Sequence, residues 1–326
     1  MRIAVIGAAV LWGTAGTAGV LVAGVDPVSL AAARLVIGGL VLAAVTLPAL
    51  RPTLAPGRGA PGGSPRDPSP DGPPRARPAR SLRFPARPGP LVAAALAVAA
   101  YQLCFFAAVG RTGVAVGTVV AIGSGPVFTG LLSWLLDGVR PGRRWAGATA
   151  VAITGCAVLT GGGGQVRADG VLLALLGGLL YAFYAVTAAR AIGAGAPSDA
   201  VMGLMFGGAA LVMVPVLLWT GTGWLAEPRG LLTALYLGCA TTALAYLLYG
   251  RGLRTTPVAT AATLALAEPA VAALLGVVVL GERLTPVSAA GLVLLGVSLV
   301  AVALPDGDGD GDAAGSGGRR AIGSSA

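Results

Sequence analysis

Ten apolar stretches of about 15 to 23 residues, separated by short polar or turn-forming segments, account for most of the sequence. The hydrocarbon core of a bilayer is about 30 Å thick, and a helix crosses it with about 20 apolar residues. Because hydrocarbon offers no water to the backbone, such a segment must satisfy its own N–H and C=O groups as an α-helix. The sequence therefore predicts an all-α integral membrane protein with ten transmembrane helices, at residues 3–22, 28–47, 90–109, 114–136, 145–159, 170–189, 200–220, 230–250, 258–280 and 286–304.

The composition excludes several classes of protein. Hydrophobic residues make up 56% of the chain and charged residues 11%, whereas soluble domains are roughly 25% charged. The chain contains neither Lys nor His, so it lacks a P-loop lysine, a Schiff-base lysine and histidine metal ligands. We therefore expect no enzymatic activity, no cofactor and no metal site. The net charge of +9 lies on Arg residues between apolar stretches, which indicates membrane orientation rather than nucleic-acid binding.

The Arg residues are distributed unequally between alternate connections. If the N-terminus is inside, 17 Arg lie on the cytoplasmic side and four, Arg111, Arg167, Arg229 and Arg283, lie outside. Cytoplasmic connections collect Arg and Lys in membrane proteins. The sequence thus predicts a multi-pass protein of the bacterial inner (plasma) membrane with both termini in the cytoplasm.

The first stretch also fits a cleaved signal peptide, since Arg2 precedes an apolar run that is followed by small residues. However, the run reaches about 20 residues, which is enough to cross a bilayer. We expect it to be retained as the first transmembrane helix.

An internal repeat divides the sequence. A constant offset of 143 residues relates Arg111-Thr112 to Arg254-Thr255 and Pro126 to Pro269, and the sequences between these residues are similar. Five helices are an odd number, so the second copy must enter the membrane in the opposite orientation, which gives two inverted five-helix repeats. The predicted units are a first repeat at 1–159, a second repeat at 160–304 and a C-terminal tail at 305–326.

Two segments are predicted to be disordered. The segment 51–89 is rich in Pro and Arg and poor in large apolar residues, as is typical of a solvated cytoplasmic insertion; attraction of its Arg residues to anionic lipid is the alternative. The tail begins with an Asp-Gly alternation at 306–312 that resembles the start of a calcium loop. Gly317 stands where the closing Glu of such a loop would be required, so we expect no calcium site.

Three motifs resemble the EamA-like permeases of the drug/metabolite transporter superfamily. They are LWGTAG around Trp12, Arg34 in the second stretch, and ALAEPAVAALLGVVVLGERLTPVSAAGLVLLGVSL at 265–299. The resemblance covers nearly all of 1–304 and implies ten helices, cytoplasmic termini and export of amino acids or related metabolites. It also implies a central cavity lined by the first, third, fourth, sixth, eighth and ninth helices. The chain departs from the family pattern at the insertion 51–89 and at Asp137-Gly138-Val139, where Gly-Glu is typical; that Glu is retained only at Glu282.

Glu268 and Arg34 are the charged residues well inside apolar stretches. A carboxylate at the bilayer centre costs about 2.5–3.5 kcal/mol, so Glu268 should face a wet cavity, have a partner or be protonated. It binds a substrate or a proton, or it is a neutral structural carboxyl. Arg34 either extends its side chain to the interface, binds a substrate carboxylate, or pairs with Glu268, in which case the pair would match a zwitterion.

Other polar and aromatic residues are candidates for the cavity wall or for helix–helix contacts. Trp12 is either an interfacial anchor or part of the cavity wall, and its depth of about nine residues favours the wall. Polar stripes follow the fourth, sixth and eighth stretches. Pro126 and Pro269 are predicted helix breaks. The remaining cavity candidates are Tyr101, Gln102, Thr118, Thr129, Tyr181, Tyr184, Thr242 and Tyr246.

These features favour a secondary transporter that exports small metabolites such as amino acids by alternating access, driven either by the substrate gradient or by proton exchange at Glu268. The alternatives are a passive channel or a non-transporting membrane protein. Expected partners are a small-molecule substrate, membrane lipid and protons; a homodimer is also open. Amino acids, amines, nucleosides and drugs all fit a cavity with few polar groups.

Overall fold

The computed structural model describes residues 2–22, 24–54, 88–161 and 167–304. Most of the predicted insertion 51–89 and the whole of the predicted tail 305–326 lie outside the described residues. Within them, the regular structure is helical throughout. The α-helices are α1 (Arg2–Gly19), α2 (Pro27–Leu54), α3 (Gly89–Asp137), α4 (Arg143–Leu159), α5 (Ala168–Gly193), α6 (Ser198–Thr220), α7 (Pro228–Gly238), α8 (Ala245–Gly252), α9 (Val258–Leu264), α10 (Ala267–Leu280) and α11 (Pro286–Ala303).

Eight helical segments of the described chain are long and apolar enough to cross a membrane. The protein is therefore a multi-pass, all-helical membrane protein. The number is lower than the ten predicted for two reasons. The third and fourth predicted helices form one 49-residue helix, α3, and α4 has only 17 residues.

The 49-residue helix α3 is not one straight rod. Its length would be about 74 Å at 1.5 Å per residue, more than twice the thickness of the hydrocarbon core. Gly113 interrupts it with φ 81° and ψ 163°, a conformation that a side chain would oppose. The chain thus changes direction at Gly113 without a separate loop.

The predicted break at Pro126 is wrong. Pro126 is buried inside α3, and the non-helical dihedral angles of this helix occur at Gly113 instead. Proline removes one backbone hydrogen bond but does not force the chain to leave the helix. Pro269 lies in the first turn of α10, directly after the interruption between α9 and α10. An N–H in the first turn has no acceptor within its own helix, so α10 loses no hydrogen bond to the proline.

A π-helical turn at Cys239–Leu244 joins α7 to α8. The Thr242 hydroxyl donates to the Leu237 carbonyl oxygen at 2.9 Å, five residues back, as the wider turn requires. A Cβ atom on Gly38 of α2 would stand 2.6 Å from the carbonyl oxygen of Gly238. The wide turn therefore lies directly against α2.

The helices pack in a defined set of pairs. α5 runs along α3, α2 along α6 and α4 along α11, while α1 contacts both α8 and α10. Glycines bring several of these backbones together, because a Cβ on Gly39 of α2 would collide with the carbonyl oxygen of Phe206 on α6. The motif formed by Gly203 and Gly207 also faces α2, at Thr46 and Ala43, so it serves packing within the chain.

Exposed ion pairs join helix ends at opposite faces of the bundle. At one face Arg190 of α5 pairs with Asp137 of α3 at 3.1 Å. At the other, Asp169 in the first turn of α5 pairs with Arg111 of α3 at 3.2 Å. Each pair is solvent-exposed and contributes at most about 1 kcal/mol, but together they connect α5 to α3 at both of its ends.

Candidate functional site

A partly enclosed cavity lies between α1, α2, α3, α5, α8, α9 and α10. Its volume is about 60 Å³, enough for a few water molecules and smaller than the roughly 300–1,000 Å³ of typical ligand pockets. Arg34 comes from α2, a helix that the family resemblance did not include. The lining residues are Trp12, Arg34, Tyr101, Ala121, Ile122, Tyr181, Tyr184, Tyr246, Ala262, Ala265 and Glu268.

Arg34 and Glu268 both line this cavity, yet they do not form an ion pair within 4 Å in the described structure. Their side chains also make no hydrogen bond to any described residue, and Arg34 Nε is buried without a partner. The position of Nε argues against a side chain extended to the membrane surface. The cavity therefore holds a guanidinium and a carboxyl group that are not paired with each other.

Aromatic side chains form most of the remaining wall. The Tyr181 hydroxyl bonds to that of Tyr249 at 3.1 Å, and the Tyr184 hydroxyl bonds to that of Tyr246 at 3.3 Å. Trp12 packs against Tyr246 with ring centroids 5.1 Å apart. These contacts join α1, α5 and α8, so the wall is one connected aromatic cluster.

A second, more open cavity of about 350 Å³ adjoins the first, and we name it the vestibule. Glu268 and Ile122 line both cavities. The vestibule opens near the C-terminal ends of α4 and α10, at the same face as Arg111 and Asp169. Its lining consists of Thr118, Ile122, Leu159, Thr160, Glu268, Pro269, Ala272, Ala273, Glu282 and Leu284.

Two prolines remove hydrogen-bond donors beside the cavity. Pro126 has no N–H for the carbonyl of Ile122, and Pro269 has none for the carbonyl of Ala265, four residues earlier in each case. Ile122 and Ala265 both line the cavity. The Ala265 carbonyl accepts instead from the Glu268 N–H at 3.0 Å, so the chain direction changes where Glu268 enters the cavity.

The structure separates the predicted site residues into three groups. Seven of them line the cavity and one, Thr118, lines the vestibule. Thr129 and Thr242 donate to carbonyl oxygens of their own segments and line neither cavity. Gln102 is buried but lies in neither lining. The seven cavity residues are Trp12, Arg34, Tyr101, Tyr181, Tyr184, Tyr246 and Glu268.

Sequence reasoning missed part of the lining. Ala121, Ile122, Ala262 and Ala265 carry no chemical signal in an apolar chain. Glu282 was noted only through the family motif, and its carboxylate lies against Gly276 at the vestibule wall. No group of three His, Cys, Asp or Glu residues able to hold a metal occurs in the part of the chain that was searched, 2–22, 24–54, 88–161 and 167–304.

Comparison with known proteins supplies independent findings. The model of the EamA-like transporter family matches residues 2–161 and 168–304. Uncharacterized transporter YwfM of Bacillus subtilis is 41% identical over 211 residues, which cover 64% of this chain and 71% of YwfM. Threonine/homoserine exporter RhtA of Escherichia coli is 35% identical over 130 residues, which cover 38% of this chain and 41% of RhtA.

The fold also matches a solved structure. A protein crystal structure with 20% sequence identity superposes with a TM-score of 0.71 and covers 92% of this chain and 95% of its own. At this identity the match concerns the fold alone.

Proposed function

The chain belongs to the EamA-like transporter family, and on that premise we propose that it exports small zwitterionic metabolites such as amino acids across the bacterial inner membrane by alternating access, in exchange for protons. The observation that carries the proposal is that Arg34 and Glu268 line one cavity without pairing with each other. A carboxylate bound to Arg34 and an ammonium bound to Glu268 satisfy both charges at once. RhtA, which is named as a threonine/homoserine exporter, supports amino acids as the class.

Glu268 also supports proton exchange, because it lines the vestibule as well as the cavity. A proton entering through the vestibule and a substrate ammonium in the cavity compete for the same carboxylate. Release of the substrate then leaves Glu268 free to take a proton, and deprotonation at the opposite face restores its affinity for the next substrate.

The packing supports two inverted five-helix repeats. If α3 is divided at Gly113, and if α7 with α8 and α9 with α10 are each counted as one segment, the described chain contains ten segments. We then exchange each segment with the segment five places further along the chain. This exchange puts α2 in the place of α6 and α4 in the place of α11, so the contacts of α2 with α6 and of α4 with α11 are unchanged. The contacts of α5 with α3 become those of α1 with α8 and α10. Such symmetry lets a carrier open the same site to either side.

The charge distribution supports an orientation with both termini in the cytoplasm and the vestibule facing outward. Arg190 and Arg251 lie at the face away from the vestibule, which would be cytoplasmic. Tags at either terminus, probed by proteolysis in inside-out membrane vesicles, test this orientation; protection of either tag contradicts it.

The test is transport by the purified protein in proteoliposomes, with a panel of amino acids, amines and nucleosides and with or without a pH gradient. We expect saturable, competable flux of amino acids that a pH gradient drives uphill. Glu268→Gln should abolish uphill flux and leave exchange of labelled for unlabelled substrate measurable, with a higher KM because the substrate ammonium loses its carboxylate partner. Unsaturable flux would favour a channel, and absence of flux for the whole panel would contradict the proposal.

A further inference from the structure

The Tyr101 hydroxyl differs from those of the other tyrosines in the cavity. Tyr181 and Tyr184 are each hydrogen-bonded to a tyrosine of α8, and Tyr246 is one of these partners. Tyr101 lines the same cavity, but its hydroxyl makes no hydrogen bond to any residue in the described part of the chain. A polar group in such a site is expected to have a partner, and a ligand that displaces water from the cavity must supply one.

The surroundings of Tyr101 hold its ring in place. The ring lies 6.2 Å from that of Tyr181 and 6.3 Å from that of Tyr184, centroid to centroid. Tyr101 lines the same cavity as Glu268 and Arg34. Its hydroxyl is therefore a neutral polar group beside the two charged side chains, as is the indole N–H of Trp12, which is also buried without a partner.

A zwitterion bound to Arg34 and Glu268 uses its carboxylate and ammonium on the two charges. The side chain of that zwitterion then meets Tyr101, alanines and Ile122, and tyrosine hydroxyls already bonded to each other. An aliphatic side chain would leave the Tyr101 hydroxyl buried without a partner, which is unfavourable, whereas a side-chain hydroxyl would bond to it. The small cavity volume of about 60 Å³ favours small side chains.

We propose that the Tyr101 hydroxyl determines specificity by binding the side-chain hydroxyl of a small hydroxylated amino acid, and that the transporter selects such amino acids over aliphatic ones of equal size. This inference rests on the proposed function. Threonine and valine are the natural pair for testing it, because they differ by a hydroxyl in place of a methyl group.

The experiment measures kcat/KM for threonine and valine exchange in proteoliposomes containing the wild-type protein or Tyr101→Phe. We expect the wild type to prefer threonine by about tenfold, as one buried hydrogen bond predicts. Tyr101→Phe keeps the ring and removes the hydroxyl, so the ratio should fall to about one, mainly through loss of threonine transport. Tyr236→Phe is the matched control, since that hydroxyl bonds to Thr14 outside the cavity, and it should keep the wild-type ratio.

Each outcome of this experiment either supports or overturns the proposed role of Tyr101. Equal transport of threonine and valine by the wild type overturns the specificity role of Tyr101 and leaves amino-acid export standing. An unchanged preference in Tyr101→Phe overturns it as well. If the wild type carries neither amino acid nor any other zwitterion, the proposed function itself fails. The wild-type ratio is informative even if Tyr101→Phe does not fold.

Discussion

Arg34→Gln is the substitution that most directly tests the charge arrangement in the cavity. The wild-type guanidinium has no partner among the described residues, so its charge is available to a substrate carboxylate. A hydrogen bond to a charged group contributes about 1.5–3 kcal/mol, and the shorter, neutral Gln loses at least one such bond. At about 1.4 kcal/mol per tenfold, KM for an amino acid should rise roughly 10- to 160-fold.

The assay is exchange of labelled amino acid in proteoliposomes, with an amine that lacks the carboxylate as a competitor. Because Arg34 should not bind an amine directly, Arg34→Gln should leave amine inhibition nearly unchanged. Arg34→Lys keeps the charge but loses the planar fork, so it should give an intermediate KM. Arg229→Gln, at an exposed position outside the cavity, is the matched control. A KM for Arg34→Gln within about twofold of the wild-type value would refute the reasoning.

Two further substitutions test the scaffold. Gly39→Ala places a Cβ on the Phe206 carbonyl and should destabilise the α2–α6 pair by about 1–3 kcal/mol. The measurement is the thermal unfolding midpoint in detergent, which should fall. Gly147→Ala is the control, because its Cβ meets open space and should leave the midpoint unchanged. Asp137→Asn removes the exposed pair with Arg190 and should change stability by less than about 1 kcal/mol. Transport is expected to continue in Asp137→Asn, and its loss would mean that the pair does more than connect helix ends.

The helical, membrane-spanning character of the chain was predictable because each apolar stretch must form a helix in hydrocarbon. The joining of two stretches into α3 was not, since it depends on a positive φ at Gly113 that neither length nor hydropathy encodes. Glu268 and Arg34 stood out because a charge in an apolar stretch is costly. Whether the two side chains pair with each other depends on the distance between them, and that distance cannot be predicted from the sequence.

The wrong placements among the site candidates have local causes. On a regular helix Thr242 would share a face with Tyr246 and Tyr249. The π-helical turn at Cys239–Leu244 has more residues per turn, so it rotates Thr242 away from the cavity. Gln102 directly follows Tyr101, and adjacent residues on a helix point in directions about 100° apart. At this point of α3 the difference leaves Gln102 outside the lining to which Tyr101 belongs.

The vestibule gives access to Glu268 from one face without passage through the aromatic wall. A compact, rigid amine that binds between Glu268 and Glu282 would prevent α10 from approaching α3 and α4. In the proposed orientation such an inhibitor would act from outside the cell, and it would not need to be a substrate. Resistance to it should arise at Thr118 or Thr160, whose loss spares the cavity, so drug selection would report on this opening separately from the transport site.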